Sequence, residues 1–308
     1  MITLIWIIQI VLTPLASPLC IGIIKKIKAK FQNRQGASIF QPYRDLWKLL
    51  HKDEIISKDA SWIFRSAPFI IFTITLIVGA CIPLFASFFK EMQINDFLII
   101  VYALSISTFF LALAGMDTGS AFGGFGSSRE MTISALAEGG LIFSFLTVAL
   151  VNSSTNLFVI SESTALIQSR PILPIILALF GFFIILLAET ARFPFDNPAT
   201  HLELTMIHEA MILEYSGKKL ALIEWAAANK LFIFAALGAN LFFPLGIAQT
   251  ISLNAIIIGI SALVIKVFIV CLIIAVLESS IAKYRFFRLP DLLIISFILN
   301  VVAIGLIY

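Results

Sequence analysis

The amino-acid sequence predicts an all-α polytopic membrane protein of about eight transmembrane helices, with both termini on the non-cytoplasmic side and amphipathic cytoplasmic loops. Three observations carry that expectation. The chain is 60% hydrophobic and only 13% charged over 308 residues, with a mean hydropathy of +1.04, a composition far from that of water-soluble domains. Its apolar runs recur at about 20 residues, the length a helix rising 1.5 Å per residue needs to cross a hydrocarbon core of about 30 Å. Lysines and arginines are one-sided: seventeen of the 21 fall in the first, third, fifth and seventh connections, against Lys90 and Arg170 in the even ones. Positive charge is retained on the cytoplasmic side, which fixes the orientation. Barrel-like alternation is absent, and a lipid-exposed chain must satisfy its backbone internally, so every span is read as helix.

The spans fall at roughly 2–24, 67–89, 97–115, 130–151, 171–190, 220–247, 254–281 and 289–307. Residues 1–308 thus form a single membrane domain, with a basic cytoplasmic loop at 25–66 and an acidic one at 191–219. The polar stretches, about 30 to 40 residues at most, are too short for a separate soluble domain. Ile2 opens the first membrane helix, because no basic n-region of a secretory signal precedes it.

The first connection is the most basic, from Lys25 to Arg65, and aromatics and acids interrupt it: FQNRQGASIFQPYRDLWKLLHKDE. Within it Tyr43, Leu46, Trp47 and Leu50 recur at i, i+3, i+4 and i+7, one apolar stripe on a helix over 42–50. Such a helix suits the surface of an anionic membrane lipid layer or the docking of a cytoplasmic partner, and periodicity favours neither.

The third connection, GMDTGSAFGGFGSSRE, is glycine-rich but lacks the GK[ST] ending of a phosphate loop and follows no strand. That excludes nucleotide binding of this kind, and no stretch points to a nucleic-acid partner. Ser127 and Glu130 have capping-box spacing ahead of the fourth span. Glu130 therefore has two candidate roles, cap or membrane-depth acid. Glu138, two turns deeper, has only the second.

From Ala188 to Glu224 the chain carries six acids, Glu189, Asp196, Glu203, Glu209, Glu214 and Glu224, between long apolar runs. Carboxylates at membrane depth are costly, so several kept together point to the movement of protons or of charge. The breaker PFDNP is followed by a helix predicted from about Ala199 to Leu213. Glu203 and Glu214 share a face of it at about 16 Å, which needs bridging groups. His201 and His208 lie about 10 Å apart, too far for one metal ion. The His208-Glu209 pair is no zinc-protease motif, since Ile212 stands where the second histidine belongs. Cys20, Cys81 and Cys271 are scattered through apolar runs without CxxC spacing. They read as buried small hydrophobes, and no metal or redox centre is expected in this chain. Farther on, Lys230 and Lys266 fall inside predicted spans, with Glu224 and Glu278 near span ends. A lysine at that depth pairs with an acid or lines a wet cavity, and a Lys–Glu series can relay a proton's charge.

Four blocks, RQG with QPYRDLWKLL, SRE with Glu138, ETARFPFD and EYSG, occur in an order that resembles the respiratory complex I H-subunit family. That family includes the membrane subunits of complex I-like, membrane-bound NiFe hydrogenases. The details are similar to the hydrogenase branch, of the formate hydrogenlyase and hydrogenase-4 kind. Gln41-Pro42 follows Gly36 almost at once, where the quinone-reducing branch has a longer GPN-type segment. Ala199 and His201 replace an EGE-like run, and an extra turn with His208 and Glu209 precedes Glu214. Glu278 stands where the other branch tends to place arginine.

The resemblance implies that Glu138, Glu189, Asp196, Glu203, Glu214 and Glu224 belong to a proton path or its coupling. Read from the residues, Glu130, Glu209, Lys230, Lys266 and Glu278 join them. Arg34, Gln41, Asp45, Lys48 and Arg192 match positions at the cavity beneath a soluble arm. The implied partners are a hydrogenase large subunit with the NiFe centre, a small subunit with iron–sulfur clusters, and antiporter-like membrane subunits. No cofactor is expected in this chain, and its expected place is the prokaryotic inner membrane. The expected function is anchoring and proton coupling in such a complex. The alternatives are a quinone-binding H-subunit and a free-standing ion-coupled transporter. The last fits poorly, since Pro14 and Pro18 have no counterpart in an inverted repeat.

Overall fold

A computed structural model describes residues 2–57, 59–88, 95–166, 171–197 and 206–307. Among these residues are eight helices long and apolar enough to cross a membrane. They are α1 (Ile2–Phe31), α3 (Trp62–Cys81), α4 (Phe97–Asp117), α5 (Ala121–Asn152), α7 (Ile172–Glu189), α9 (Gly217–Phe242), α10 (Leu253–Ser280) and α11 (Leu289–Gly305). Three shorter helices lie between them: α2 (Gln41–Leu50), α6 (Leu157–Leu166) and α8 (His208–Ile212). The expected eight spans are therefore present, and several boundaries move for physical reasons.

α1 runs seven residues past the expected end at Ile24, through Lys25, Lys26, Lys28 and Lys30, and stops where Asn33 turns left-handed (φ 54°). There the Arg34 N–H bonds the Ala29 carbonyl at 2.8 Å, which satisfies a helix-end acceptor. α3 begins early, at Trp62, capped by the Ser61 hydroxyl on the Ile63 N–H. It ends at Cys81 because Pro83 forces extended backbone on Ile82. Ile82, Leu84, Phe85 and Ala86, expected as helix, are instead a buried non-helical segment.

The capping-box reading of Ser127 and Glu130 is wrong. α5 starts at Ala121 behind Ser120, so the glycine-rich stretch is its first two turns, and the buried Ser127 hydroxyl bonds the Ala112 carbonyl at 2.8 Å. Close packing overrides glycine's low helix propensity here. A Cβ on Gly123 would stand 2.1 Å from the Gly115 carbonyl oxygen. Of the stripe expected on the amphipathic α2, Leu46 is buried and Tyr43 and Leu50 are half-buried, but Trp47 is 66% exposed. α6 was not foreseen. Of the helix expected over 199–213 only α8 falls among the described residues; Glu203 and His201 lie outside them.

α5, α7 and α11 pack through small residues and single polar contacts: Ser144 to the Ala178 carbonyl, Ser296 to that of Gly181, Asn300 to that of Gly140. Such contacts hold membrane helices together where the hydrophobic effect cannot. A phenylalanine cluster, Phe145, Phe182, Phe234 and Phe242, joins this group to α9. The connections sort by parity. Asp117 at the end of α4 accepts the N–H groups of Ser61 and Phe64, Ser216 bonds Ile55, and Lys283 pairs with Asp196, which ties the odd connections into one end. At the other end Ala86 bridges to Ala248 and Asp96 to Asn156.

Candidate functional site

At the end formed by the odd connections a cavity of about 630 Å³ opens between α1, α2, α5, α7, α9 and the C-terminus of α10. Six acids line it, Asp45, Glu130, Glu189, Glu209, Glu224 and Glu278, with five cations, Lys25, Lys28, Arg34, Arg192 and Lys230. One part of its remaining wall is apolar, with Pro18, Ile21, Leu46, Ile212 and Ile223, and another is uncharged polar, with Thr75, Ser107 and Thr108. Nine of these charged residues were singled out from the sequence. Lys25 and Lys28 were not, because they were read as loop charges. Their i, i+3 spacing on a prolonged α1 was the available signal.

Lys230 sits one helical face inward on α9. Its ammonium reaches Glu189 Oε2 at 2.7 Å and the Thr108 hydroxyl at 3.1 Å, with the side chains only 13% and 7% exposed. Glu189 ends α7, whose terminus is shaped by Ala191 in a left-handed conformation (φ 51°) and by the Arg192 N–H on the Leu187 carbonyl. The charges that act on Glu130 are Lys230, Glu189 and Asp196, so one lysine lies among several acids. This is the pairing expected of a lysine at membrane depth.

Glu278 is clamped from two sides, by Lys28 at 3.1 Å and Arg192 at 3.2 Å. Arg192, expected near a soluble arm, is thus buried and committed to an acid of α10. Beside it Cys20 and Cys271 meet thiol to thiol across α1 and α10. The scattered cysteines are buried as expected, although two of them are neighbours in space.

Asp196 lies next to this group rather than in the lining. Its Oδ2 accepts the N–H groups of Ile207 and His208 at the start of α8, and its Oδ1 takes the Lys283 ammonium at 2.5 Å. That places His208 and Glu209 on the cavity wall. Burial pulls the His208 imidazole down to about 4, with Asp196 opposing and Lys230 assisting. Burial pushes the Glu209 carboxyl up to about 7, with Glu224 and Asp196 adding to the rise and Lys25 opposing it. His208 is therefore neutral near pH 7, while Glu209 gains and loses a proton there. At the mouth, Gln41 donates to Asp45 Oδ1 at 2.8 Å, and Arg34 is exposed.

Several expected residues stand elsewhere. Glu138 is half-buried in a shallow depression between α4 and α5, beside Tyr102, Ser105 and Ser134. Glu214 and Lys48 are exposed outside the cavity lining. Lys266 pairs with no acid among the described residues; its ammonium bonds Asn240 Oδ1 at 3.0 Å. Among the described residues no three His, Cys, Asp or Glu side chains are placed to hold a metal ion.

The family model for NADH dehydrogenase matches residues 2–308. Hydrogenase-4 component C of Escherichia coli (strain K12) is 33% identical over 295 residues, 96% of this chain and 92% of that protein. Formate hydrogenlyase subunit 4 of the same organism is 28% identical over 269 residues, 87% of each. NADH-quinone oxidoreductase subunit 8 of Rhodothermus marinus is 34% identical over 238 residues, 71% of this chain and 66% of that one. A chain of the membrane-bound sulfane sulfur reductase, an archaeal respiratory membrane complex, shares the fold with a TM-score of 0.82 at 20% identity, covering 98% of this chain and 99% of its own.

Proposed function

Because the chain belongs to the NADH dehydrogenase family of multi-pass membrane subunits, we propose that it anchors the soluble arm of a complex I-like NiFe hydrogenase and couples its redox reaction to proton movement. The observation that carries this reading is the cavity, where Lys230 binds Glu189 at 2.7 Å within a set of six acids and five cations. Charges held this closely respond to one another, so a proton or electron arriving at the mouth is felt at the inner wall.

In this reading the end with the odd connections is cytoplasmic, and the hydrogenase large and small subunits, with the NiFe centre and iron–sulfur clusters, sit over the cavity mouth at Arg34, Asp45 and Lys48. Protons enter past Glu209 and Glu224, and Glu130, Lys230 and Glu189 pass the charge inward. Glu138 opens sideways, toward an antiporter-like subunit. Glu278, held by Lys28 and Arg192, sets the field at the junction of α1, α7 and α10. The match to hydrogenase-4 component C over 96% of this chain, against 71% for the Rhodothermus marinus quinone oxidoreductase subunit at like identity, supports the hydrogenase branch.

The test is Glu130→Gln or Lys230→Met in the intact complex in sealed vesicles. Proton translocation is lost while hydrogen oxidation with a soluble dye continues. Full translocation by both variants refutes the reading. The apolar wall of Pro18, Ile21, Leu46, Ile212 and Ile223 favours a second one, in which the cavity takes a quinone. A quinone that copurifies with the complex and is lost in Leu46→Lys decides for that alternative.

A further inference from the structure

A file of uncharged polar side chains leaves the inner wall of the cavity and runs toward the opposite end of the bundle, between α1, α3 and α9. It begins at Thr75, which lines the cavity. The Thr75 hydroxyl accepts Asn229 Nδ2 at 3.1 Å, and Asn229 Oδ1 accepts the Ser17 hydroxyl at 2.7 Å. From Ser17, Thr13 and Gln9 follow at successive turns of one face of α1, which carries the file about 12 Å along the helix axis. Gln9 Nε2 then donates to the Ala86 carbonyl at 3.3 Å, in the segment whose bridge to Ala248 closes the far end of the bundle.

Three features mark this file; Ser144, Ser296 and Asn300 share its burial, and Asn300 Oδ1 its want of a partner among the described residues, but each of those side chains bonds a backbone carbonyl singly. First, Gln9, Thr13, Ser17 and Asn229 are 0% exposed and Thr75 is 1% exposed, so five polar groups in sequence are withdrawn from lipid. Second, Gln9 Oε1 is buried with no hydrogen-bond partner among the described residues, a state that a buried amide resolves by binding water. Third, α1 carries two prolines beside the file. Pro14 removes the helical donor of the Ile10 carbonyl, and Pro18 that of the Pro14 carbonyl, which takes the Trp225 indole N–H at 2.9 Å instead. α3 approaches the middle of the file closely through Gly79, where an added Cβ would stand 2.8 Å from Thr13 Oγ1. Hydroxyls and amides both donate and accept, so they can order a water chain without trapping a charge, as an ionisable group would.

We propose that this file is a hydrated exit path which carries protons from the cavity to the opposite membrane face. It rests on the proton-handling role proposed for the cavity. The test uses the intact complex in sealed vesicles, with Cys20, Cys81 and Cys271 replaced by alanine. A small cationic methanethiosulfonate reacts only with a thiolate in water. It is expected to modify the Gln9→Cys and Thr13→Cys variants, and to spare Val11→Cys, whose side chain faces outward. No modification of the first two overturns the path. In a second arm, Gln9→Leu with Thr13→Val is expected to lower proton translocation at least fivefold while dye-linked hydrogen oxidation stays within twofold. Unchanged translocation also overturns it. Where the double variant does not assemble, the labelling decides, because it needs no turnover. Translocation that survives Glu130→Gln refutes the cavity's role instead, and leaves the hydration of the file to be read separately.

Discussion

Glu209 offers the sharpest test of the cavity's electrostatics. Burial and its acidic neighbours raise its carboxyl from the usual value of 4.5 to about 7. A folded-state value above the unfolded one means that the folded protein prefers the protonated acid. The resulting stability is complete below about pH 4.5 and is lost as the pH rises through about 7. The full window corresponds to about 3 kcal/mol at about 1.4 kcal/mol per pH unit. Glu209 is only partly buried at the mouth, so water screening reduces this to about 1.5–3 kcal/mol. With an unfolding entropy of about 2 cal/mol/K per residue, the change is about 2–5 °C in Tm for a chain of this length. The assay is thermal unfolding of the purified complex, wild type against Glu209→Gln, at pH 5 and pH 8. The variant does not titrate at this position, so its Tm relative to wild type rises by that amount between the two conditions. A constant difference, or one of opposite sign, refutes the burial argument. His208 supplies the mirror case. Its value is depressed to about 4, so its contribution is present above about pH 6.5 and is lost as the pH falls through about 4. The relative gain of His208→Gln therefore appears in acid.

Other outcomes follow from single contacts. Lys230→Met leaves Glu189 buried and unpaired and lowers stability by about 3 kcal/mol; adding Glu189→Gln recovers most of that in a double-mutant cycle. Glu278→Gln leaves Lys28 and Arg192 facing each other and costs about 3–5 kcal/mol, read as a fall in Tm that added salt partly reverses. Gly22→Ala would put a Cβ 2.0 Å from the Ile39 carbonyl oxygen, so the strand of chain before α2 moves off α1, at about 1–3 kcal/mol, and limited proteolysis at 32–40 accelerates.

Span number was legible because it depends on composition summed over whole helices, which no local contact overrides. Parity of the connections was legible for a similar reason, since it follows from the number of spans that alternate across the bundle. Boundaries were not. The start of α5 depends on Gly123 and Gly126 fitting against Gly115 and Ala210, a long-range fit to which glycine's helix propensity gives the opposite sign. In the site, Glu189, Glu224 and Lys230 were legible as charges embedded in apolar sequence. Lys28 was not, because its value lies in reaching Glu278, 250 residues away. Lys266 shows the converse: a lysine of the same apparent character as Lys230 finds an amide, since α10 turns it away from every acid of the cavity.

That contrast bears on what the acids do. Depth in an apolar chain identified eleven candidate relay groups, yet the structure gathers six of them in the cavity lining and leaves Glu138 and Glu214 outside it. The eleven charged residues of the lining are nearly balanced, six acids against five cations, so uptake of a single proton by the fully ionised set takes its formal charge from −1 to neutral. Charges gathered around about 630 Å³ act on one another. In the proposed relay these charges act as a set, so neutralising Glu130 and Glu189 together should cost far less translocation than the product of the two single losses. Independent, multiplicative losses in vesicle assays would mean separate wires instead of one coupled cluster.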